Sequence, residues 1–243
     1  MKNFGFLLVA SAALSPGLLA QSVPAKLPDI SGFWERKDDA GSGSFGGTLE
    51  KIPKASLKPE IIETNRQAQA QQQAGYVVSF GSRWCLTNMY PFFMQHSAAW
   101  DIVQTQDEIV LVPEVHTFAR HIYLDGRKHP DAAVLHMTVN GHSIGHWEGD
   151  TLVVDSVGFS GGGGTPGGGR TSPNSHLVER FRLLDNGKRL SVTFAWDDPT
   201  VYLKPHTYEL TYHKSAPDTY AFEEYCHADD PAQAGSVVEP PQK

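Results

Sequence analysis

The chain has 243 residues, of which 40% are hydrophobic and 19% are charged, and its formal net charge is −7. This composition supplies enough apolar material for one hydrophobic core and carries too little charge for a disordered chain. The negative balance and the lack of a basic run argue against nucleic acid as a partner, because phosphates require a basic surface.

Residues 1–20 have the pattern of a cleavable export signal. Lys2 gives the positive start, and residues 4–14 form an apolar run that is too short to span a bilayer as a helix. Ala20 is a small residue directly before a cleavage at Gln21. Because no later apolar run is long enough to cross a membrane, we expect a soluble protein that is periplasmic or secreted.

The chain has two cysteines, Cys85 and Cys226. In an oxidising compartment a pair of cysteines usually forms a disulfide, which here would tie the C-terminal strand region to the middle of the chain. Two unpaired thiols are the alternative.

The first predicted elements are a strand and a helix. A strand is expected over residues 30–34, which contain a Gly-x-Trp pattern. The helix is expected over residues 56–74, where Pro59 suits the first turn and Gly75 can end it. Few of its side chains can face a core, so we expect the helix to lie on the surface.

From Trp100 onward the pattern favours strands joined by short turns. The expected strands cover residues 100–105, 108–113, 115–124, 143–147, 151–157, 176–184, 189–196, 207–213 and 219–225. Consecutive strands of this kind predict a mostly β fold, an antiparallel meander that closes into a barrel around a small cavity. We expect one such domain over residues 28–228 and a flexible tail over residues 229–243.

Histidines are unusually frequent, with eleven in the chain, and histidine is the side chain best suited to proton transfer near neutral pH. The candidates are His116, His121, His129, His142, His146, His176 and His206. A metal site needs three or four converging ligands, and two residues four apart on a strand lie about 13 Å apart. His142 and His146 therefore cannot share one ion unless the segment bends.

Charged residues also fall inside runs that should pair in a sheet: Arg120, Asp155, Glu179 and Arg180. A buried charge costs several kcal/mol unless it is paired. Because side chains alternate along a strand, one of Glu179 and Arg180 is expected to point into the barrel. Two interpretations stay open, namely Arg–carboxylate pairs that join strands, and side chains that bind a ligand.

Two further features bear on a ligand. Residues 158–169 contain a glycine-rich run that predicts a mobile loop, with no following Lys-Ser/Thr that would indicate a phosphate site. Trp and Tyr residues are abundant after residue 84. A pocket rimmed by such rings and a few polar groups would suit a small aromatic or sugar-like molecule.

Several blocks of the sequence resemble a large family of exported bacterial proteins. The most specific block is GHSIGHWEGDTLVVD at residues 141–155, joined by IYLDGR at 122–127, VERF at 178–181 and DISGFW at 29–34. The family is mostly without an assigned activity and is plentiful in soil and aromatic-degrading bacteria. The resemblance covers residues 28–228 and implies a lipocalin-like barrel. Relatives tend to have a His-Ser-Glu-like triplet where residues 171–173 read Thr-Ser-Pro, which implies a different ligand.

The main functional hypothesis is a cofactor-independent lyase that acts by acid–base chemistry on a small aromatic compound, such as a lignin-derived one, or on a glycoside. The compound class rests on the bacteria in which the relatives occur. The site needs a base, a cation that steadies an oxyanion, and a carboxylate that orients the base. The candidates are His142 or His129 for the base, Arg127 or Arg180 for the cation, and Glu148 or Asp155 for the orienting carboxylate.

Two alternatives remain at the level of sequence. A carrier of small hydrophobic ligands needs the same barrel without a converging acid–base pair. A metal-dependent hydrolase needs three His or carboxylate side chains that meet at one point. The preferred hypothesis requires neither a metal nor a cofactor, and the sequence leaves the oligomeric state open.

Overall fold

The computed structural model describes residues 27–36, 52–74, 90, 94, 99–114, 118–161, 164–165 and 168–219. The predicted export signal, both cysteines, His116 and the predicted tail lie outside the described residues. The disulfide therefore stays a prediction.

Eleven strands and one α-helix form in the described part of the chain. In chain order they are β1 (Gly32–Glu35), α1 (Pro59–Gln73), β2 (Trp100–Gln104), β3 (Glu108–Pro113), β4 (Arg120–Tyr123), β5 (His142–Glu148), β6 (Thr151–Val157), β7 (Gly164–Thr165), β8 (Gly169–Arg170), β9 (His176–Leu184), β10 (Arg189–Asp197) and β11 (His206–Lys214). Nine of them close into a barrel in the order β1-β11-β10-β9-β6-β5-β4-β3-β2, and β7 pairs with β8 as a separate hairpin. The predicted mostly β barrel with one helix is confirmed.

One seam of the barrel departs from the predicted antiparallel meander, because β4 and β5 are parallel. Their register consists of two pairs, Ile122 with Ser143 and Tyr123 with Ile144. A parallel pair cannot be joined by a tight turn, so the chain must return along the barrel before it enters β5. Residues 124–141, which we call the crossover segment, make this return.

One predicted strand also needs correction. The strand expected over residues 115–124 begins at Arg120, and residues 115–117 lie outside the described part. Strand β11 pairs with β1 and β10, and residues 220–225 of the hairpin expected between 207–213 and 219–225 lie outside the described residues, so that hairpin stays a prediction. Thr219 lies in a turn, in which its N–H donates to the carbonyl of Ala216.

The helix begins at Pro59 and is largely exposed, as predicted. Its leading segment is held by backbone hydrogen bonds, from the Lys58 N–H to the Val201 carbonyl at 3.0 Å and from the Leu203 N–H to the Ser56 carbonyl at 2.7 Å. No helix in the described ranges is long and apolar enough to cross a membrane.

The barrel interior follows from the alternation of side chains along each strand. On β9, Leu177, Glu179 and Phe181 are buried while Arg180 is exposed. The same alternation buries a series of large side chains, which include Trp34, Trp100, Phe194, Trp196, Tyr208 and Tyr212. The interior is therefore mainly aromatic and aliphatic, with a small polar centre.

Candidate functional site

Strands β4, β5, β6 and β9 carry a polar cluster on each face of the barrel wall. The inner cluster consists of Arg120, Ser143, Ser156 and Glu179, together with Tyr90. The outer cluster consists of His129, His142, Asp155 and His176. Neighbouring residues on one strand point to opposite faces, so Ser143 and Ser156 belong to the inner cluster while His142 and Asp155 belong to the outer one.

The inner cluster is centred on an ion pair between Arg120 and Glu179. Nη2 of Arg120 lies 2.5 Å from Oε2 of Glu179, and its Nη1 lies 3.2 Å from Oε1. Arg120 also donates from Nε to Ser143 at 3.1 Å and from Nη2 to Ser156 at 2.8 Å. The Tyr90 hydroxyl donates to Glu179, and the Arg120 guanidinium lies 3.6 Å from the centre of the Tyr90 ring.

Burial sets the electrostatics of this pair. It raises the pKa of Glu179 well above its ordinary value and lowers the pKa of Arg120 well below its own. Each group is therefore costly to bury without the other, and the hydrogen bonds from Arg120 to two serines and from Tyr90 to Glu179 compensate for part of the lost hydration. The arrangement matches the interpretation of an Arg–carboxylate pair that joins strands, since it links β4, β5, β6 and β9.

The outer cluster lies where the crossover segment passes over the barrel wall. His142, Asp155 and His176 point outward from β5, β6 and β9, and the crossover segment supplies His129. Nε2 of His129 lies 3.0 Å from Oδ1 of Asp155, and Nε2 of His176 lies 2.9 Å from Oδ2 of the same carboxylate. Nδ1 of His129 lies 2.8 Å from Nδ1 of His142.

When His129 is neutral, these contacts indicate which nitrogen carries each proton. A carboxylate only accepts hydrogen bonds, so Nε2 of His129 donates to Asp155. In a neutral His129 the Nδ1 atom is then an acceptor, and it receives the Nδ1–H of His142. The Nε2 atom of His142 is left with a free lone pair, which can take up a proton.

The environment of His142 disfavours the protonated imidazole. Burial lowers the pKa of His142, and the positive charges of a protonated His129 and of Arg127 lower it further. The ring of Tyr123 lies 5.5 Å from the ring of His142, centre to centre. The Arg127 guanidinium lies 3.7 Å from the centre of the Tyr123 ring and is also paired with Asp125. A cation and a phenol therefore flank the imidazole.

The six residues proposed from the sequence separate into two groups. His142, His129 and Asp155 meet in the outer cluster, and Arg127 lies beside it. Glu148 is six residues from His142 on β5, about 20 Å along the strand. Arg180 donates to Glu148 at 2.8 Å, and both side chains are about half exposed. Glu148 and Arg180 thus form a surface pair away from the outer cluster.

Other histidines considered from the sequence occupy separate places. His121 contacts Glu108 at 2.7 Å and His146 contacts Glu148 at 3.2 Å, each on the outer surface. His206 is buried in a series of rings between Tyr202 and Tyr208. Among the residues that the structure describes, no three His, Cys, Asp or Glu side chains are grouped so that they could hold a metal ion.

Ser143, Ser156 and Tyr123 were not predicted from the sequence, and His176 was predicted only as one of several histidines suited to proton transfer. Alternation along β5 and β6 would have placed both serines on the same inner face as Arg120 and Glu179, once the strands were aligned. No local signal distinguishes Tyr123, because its position beside His142 depends on the parallel seam between β4 and β5.

A scan against protein-family models finds no match for this chain, and a search of curated proteins finds no related sequence. The site is therefore interpreted from its own geometry.

Proposed function

We propose that the protein is a cofactor-independent acid–base enzyme, and specifically a lyase, with His142 as its base. The observation that carries the proposal is the hydrogen-bonded series from Asp155 through His129 to His142, with distances of 3.0 and 2.8 Å. A carboxylate that fixes the tautomer of a histidine is a recurrent way to prepare a base. Here one additional imidazole lies between the carboxylate and the base.

The reaction that fits this arrangement is an elimination next to a carbonyl or a phenol. Nε2 of His142 takes the proton from carbon, the electrons of the C–H bond form a double bond, and the leaving oxygen departs with its bonding electrons. The protonated His142 then returns the proton to that oxygen, so the products are an alkene and an alcohol or phenol. The positive charge on His142 is shared with His129 and stabilised by Asp155.

Arg127 and Tyr123 supply the groups that would steady a developing negative charge. The guanidinium is partly exposed and lies over the phenol ring that borders His142. A cation beside the site where charge develops stabilises an enolate or phenolate. Small aromatic compounds, including lignin-derived ones, and glycosides are the substrate classes that we propose to test.

The test is a screen of lignin-derived dimers and glycosides with the wild type and with His142→Ala. We expect a loss of turnover of about 10²- to 10⁴-fold in this variant, the usual contribution of a general base. His146→Ala is the matched control, because His146 points outward from the same strand and is bonded to Glu148. Turnover that survives in His142→Ala as in the control would end the proposal, and binding without turnover would favour a carrier.

We also propose that the protein is exported, as residues 1–20 indicate. Mass spectrometry of the mature protein from its native host would then give an N-terminus at or a few residues after Gln21. A mature protein that retains Lys2 in a cytoplasmic fraction would contradict export.

A further inference from the structure

Asp155 is shared by two histidines, one on each carboxylate oxygen. His129 bonds Oδ1 at 3.0 Å from the crossover segment, and His176 bonds Oδ2 at 2.9 Å from the first position of β9. The proposed base needs only the first of these contacts. The contact between His176 and Asp155 therefore needs a separate explanation.

A carboxylate in this position is not held by packing alone. Asp155 points outward from β6, and 41% of its side chain is exposed. The terminal torsion of an aspartate is broad, so its carboxylate plane turns easily unless partners fix it. One hydrogen bond from His129 fixes one oxygen, but it leaves the plane free to swing about that contact.

His176 is well placed to fix that plane. Residues Ser156 and Leu177 are paired in register, so β9 lies directly beside β6 at this level. His176 points outward, and its Nε2 reaches the oxygen that His129 does not use. With an imidazole donor bonded to each oxygen, the carboxylate of Asp155 can no longer rotate about its contact to His129.

We propose that His176 is a positioning residue of the outer cluster, which holds the carboxylate of Asp155 in the plane that keeps His129 in its Nε2–H form. This inference rests on the proposed function for its catalytic meaning, but its structural part stands without it. His176 acts through Asp155 and His129, and it does not touch the reacting atoms.

The consequence is specific to the tautomers of two neighbouring imidazoles. With Asp155 held, His129 carries its proton on Nε2, and His142 carries its proton on Nδ1. A free neutral histidine prefers the Nε2–H form, so an Nδ1–H His142 is a distinctive signature. Without His176 the carboxylate turns toward solvent, His129 loses its fixed partner, and His142 returns to a mixture of tautomers.

The experiment reads these tautomers directly by two-bond ¹H–¹⁵N NMR on the full-length mature protein above pH 8, well above the pKa of about 6.5 of a free imidazole. In the wild type we expect His142 as the Nδ1–H form and His129 as the Nε2–H form. In His176→Leu we expect loss of the pure Nδ1–H signal of His142. In His176→Gln, whose amide can place an N–H close to the position of Nε2, we expect the signal to be retained.

The matched control is His121→Leu. His121 also points outward and also contacts a carboxylate, that of Glu108 at 2.7 Å, but it belongs to β4 and not to the outer cluster. We expect wild-type tautomers of His129 and His142 in this variant. Backbone amide spectra of all variants check that the barrel has folded.

The outcomes separate this inference from the proposed function. Unchanged tautomers of His129 and His142 in a folded His176→Leu protein would overturn the positioning role, whatever the activity screen finds. Loss of the signal in His176→Leu and its retention in His176→Gln would support the role even if His142→Ala keeps full turnover. Once a substrate is found, His176→Leu should lower kcat with little change in KM, because His176 acts on the base and not on substrate binding.

Discussion

Arg120 and Glu179 form an ion pair inside the barrel, in which Nη2 lies 2.5 Å from Oε2 and neither side chain reaches solvent. The pair links β4 to β9 inside the barrel. The two serines that accept hydrogen bonds from Arg120 belong to β5 and β6, the strands between β4 and β9. Because β4 and β5 are joined by two register pairs, this side-chain link reinforces a short seam of the barrel.

Removal of one partner of this pair should destabilise the fold strongly. Arg120→Met leaves the carboxylate of Glu179 buried without its cation, and we expect a loss of about 3–5 kcal/mol in the free energy of unfolding. Urea denaturation monitored by tryptophan fluorescence measures the loss. Arg180→Met is the matched control, because Arg180 is the next residue on β9 and its pair with Glu148 is exposed. A similar loss in both variants would contradict the role of the inner pair.

The titration of His142 should make the free energy of unfolding depend on pH. Its pKa is lowered by burial and by its neighbours, so between this lowered value and the ordinary value of about 6.5 the unfolded state binds more protons. The contribution of His142 to the free energy of unfolding is therefore present above about pH 6.5 and is lost as the pH falls through the folded-state pKa.

Urea denaturation at a series of pH values between 5 and 8 tests this sign for the wild type and for His142→Gln. We expect the wild type to lose stability on acidification more steeply than the variant, which lacks the titrating group. Equal slopes for the two proteins would show that His142 titrates alike in the folded and unfolded chains.

Asp198 should be a structural carboxylate at the end of the barrel. It is buried and accepts hydrogen bonds from the hydroxyls of Ser172, Ser175 and Thr200, and from the Thr200 N–H at 2.9 Å. Burial acts to raise its pKa, but these hydrogen bonds outweigh burial and lower it. Its stabilising contribution is therefore present at neutral pH and is lost as the pH falls through the lowered folded-state pKa.

Asp198→Asn exchanges an acceptor for an amide donor that faces three hydroxyls, and we expect a loss of about 1–3 kcal/mol at pH 7. Asp197→Asn is the control, since Asp197 is adjacent and exposed. Thermal denaturation of both variants at pH 7 gives the comparison. A melting temperature for Asp198→Asn equal to that of the control would remove Asp198 from this role.

Gly141 should be required at the entry to β5. Its φ is +68°, and a Cβ atom added there would lie 2.8 Å from the carbonyl oxygen of Val157. Gly126 is a matched control, with a φ of +78° and open space around the added atom. We expect Gly126→Ala to cost about 1–2 kcal/mol for the backbone conformation alone. Gly141→Ala should cost more, because the chain must also shift beside His142.

Chemical denaturation of the two alanine variants separates the cost of the backbone conformation from the cost of the close approach to Val157. The NMR signal of the His142 tautomer adds a local readout, which should change in Gly141→Ala and persist in Gly126→Ala. Equal losses of stability with an unchanged His142 signal would contradict the close approach at Gly141.

Parts of this arrangement could be predicted from residue patterns. Alternation along β9 required one of Glu179 and Arg180 to point inward, and Glu179 does so. Arg120 was among the charged residues expected either to pair or to bind a ligand, but the sequence did not show that its partner is Glu179. The parallel seam could not be predicted, because residues 115–124 and 143–147 both read as strands and nothing local states their relative direction.

The local pattern of apolar, β-branched and turn residues determined the strands and the helix that begins at Pro59, because these depend on interactions between residues close along the chain. Only the tertiary structure decided that His129, from a segment without any regular period, meets Asp155 of β6 and His142 of β5. Such a meeting depends on the return path of the crossover segment, and that path is set by the packing of distant strands. The pattern of residues supplied the imidazoles and the carboxylate, and the closure of the barrel brought them within hydrogen-bonding distance.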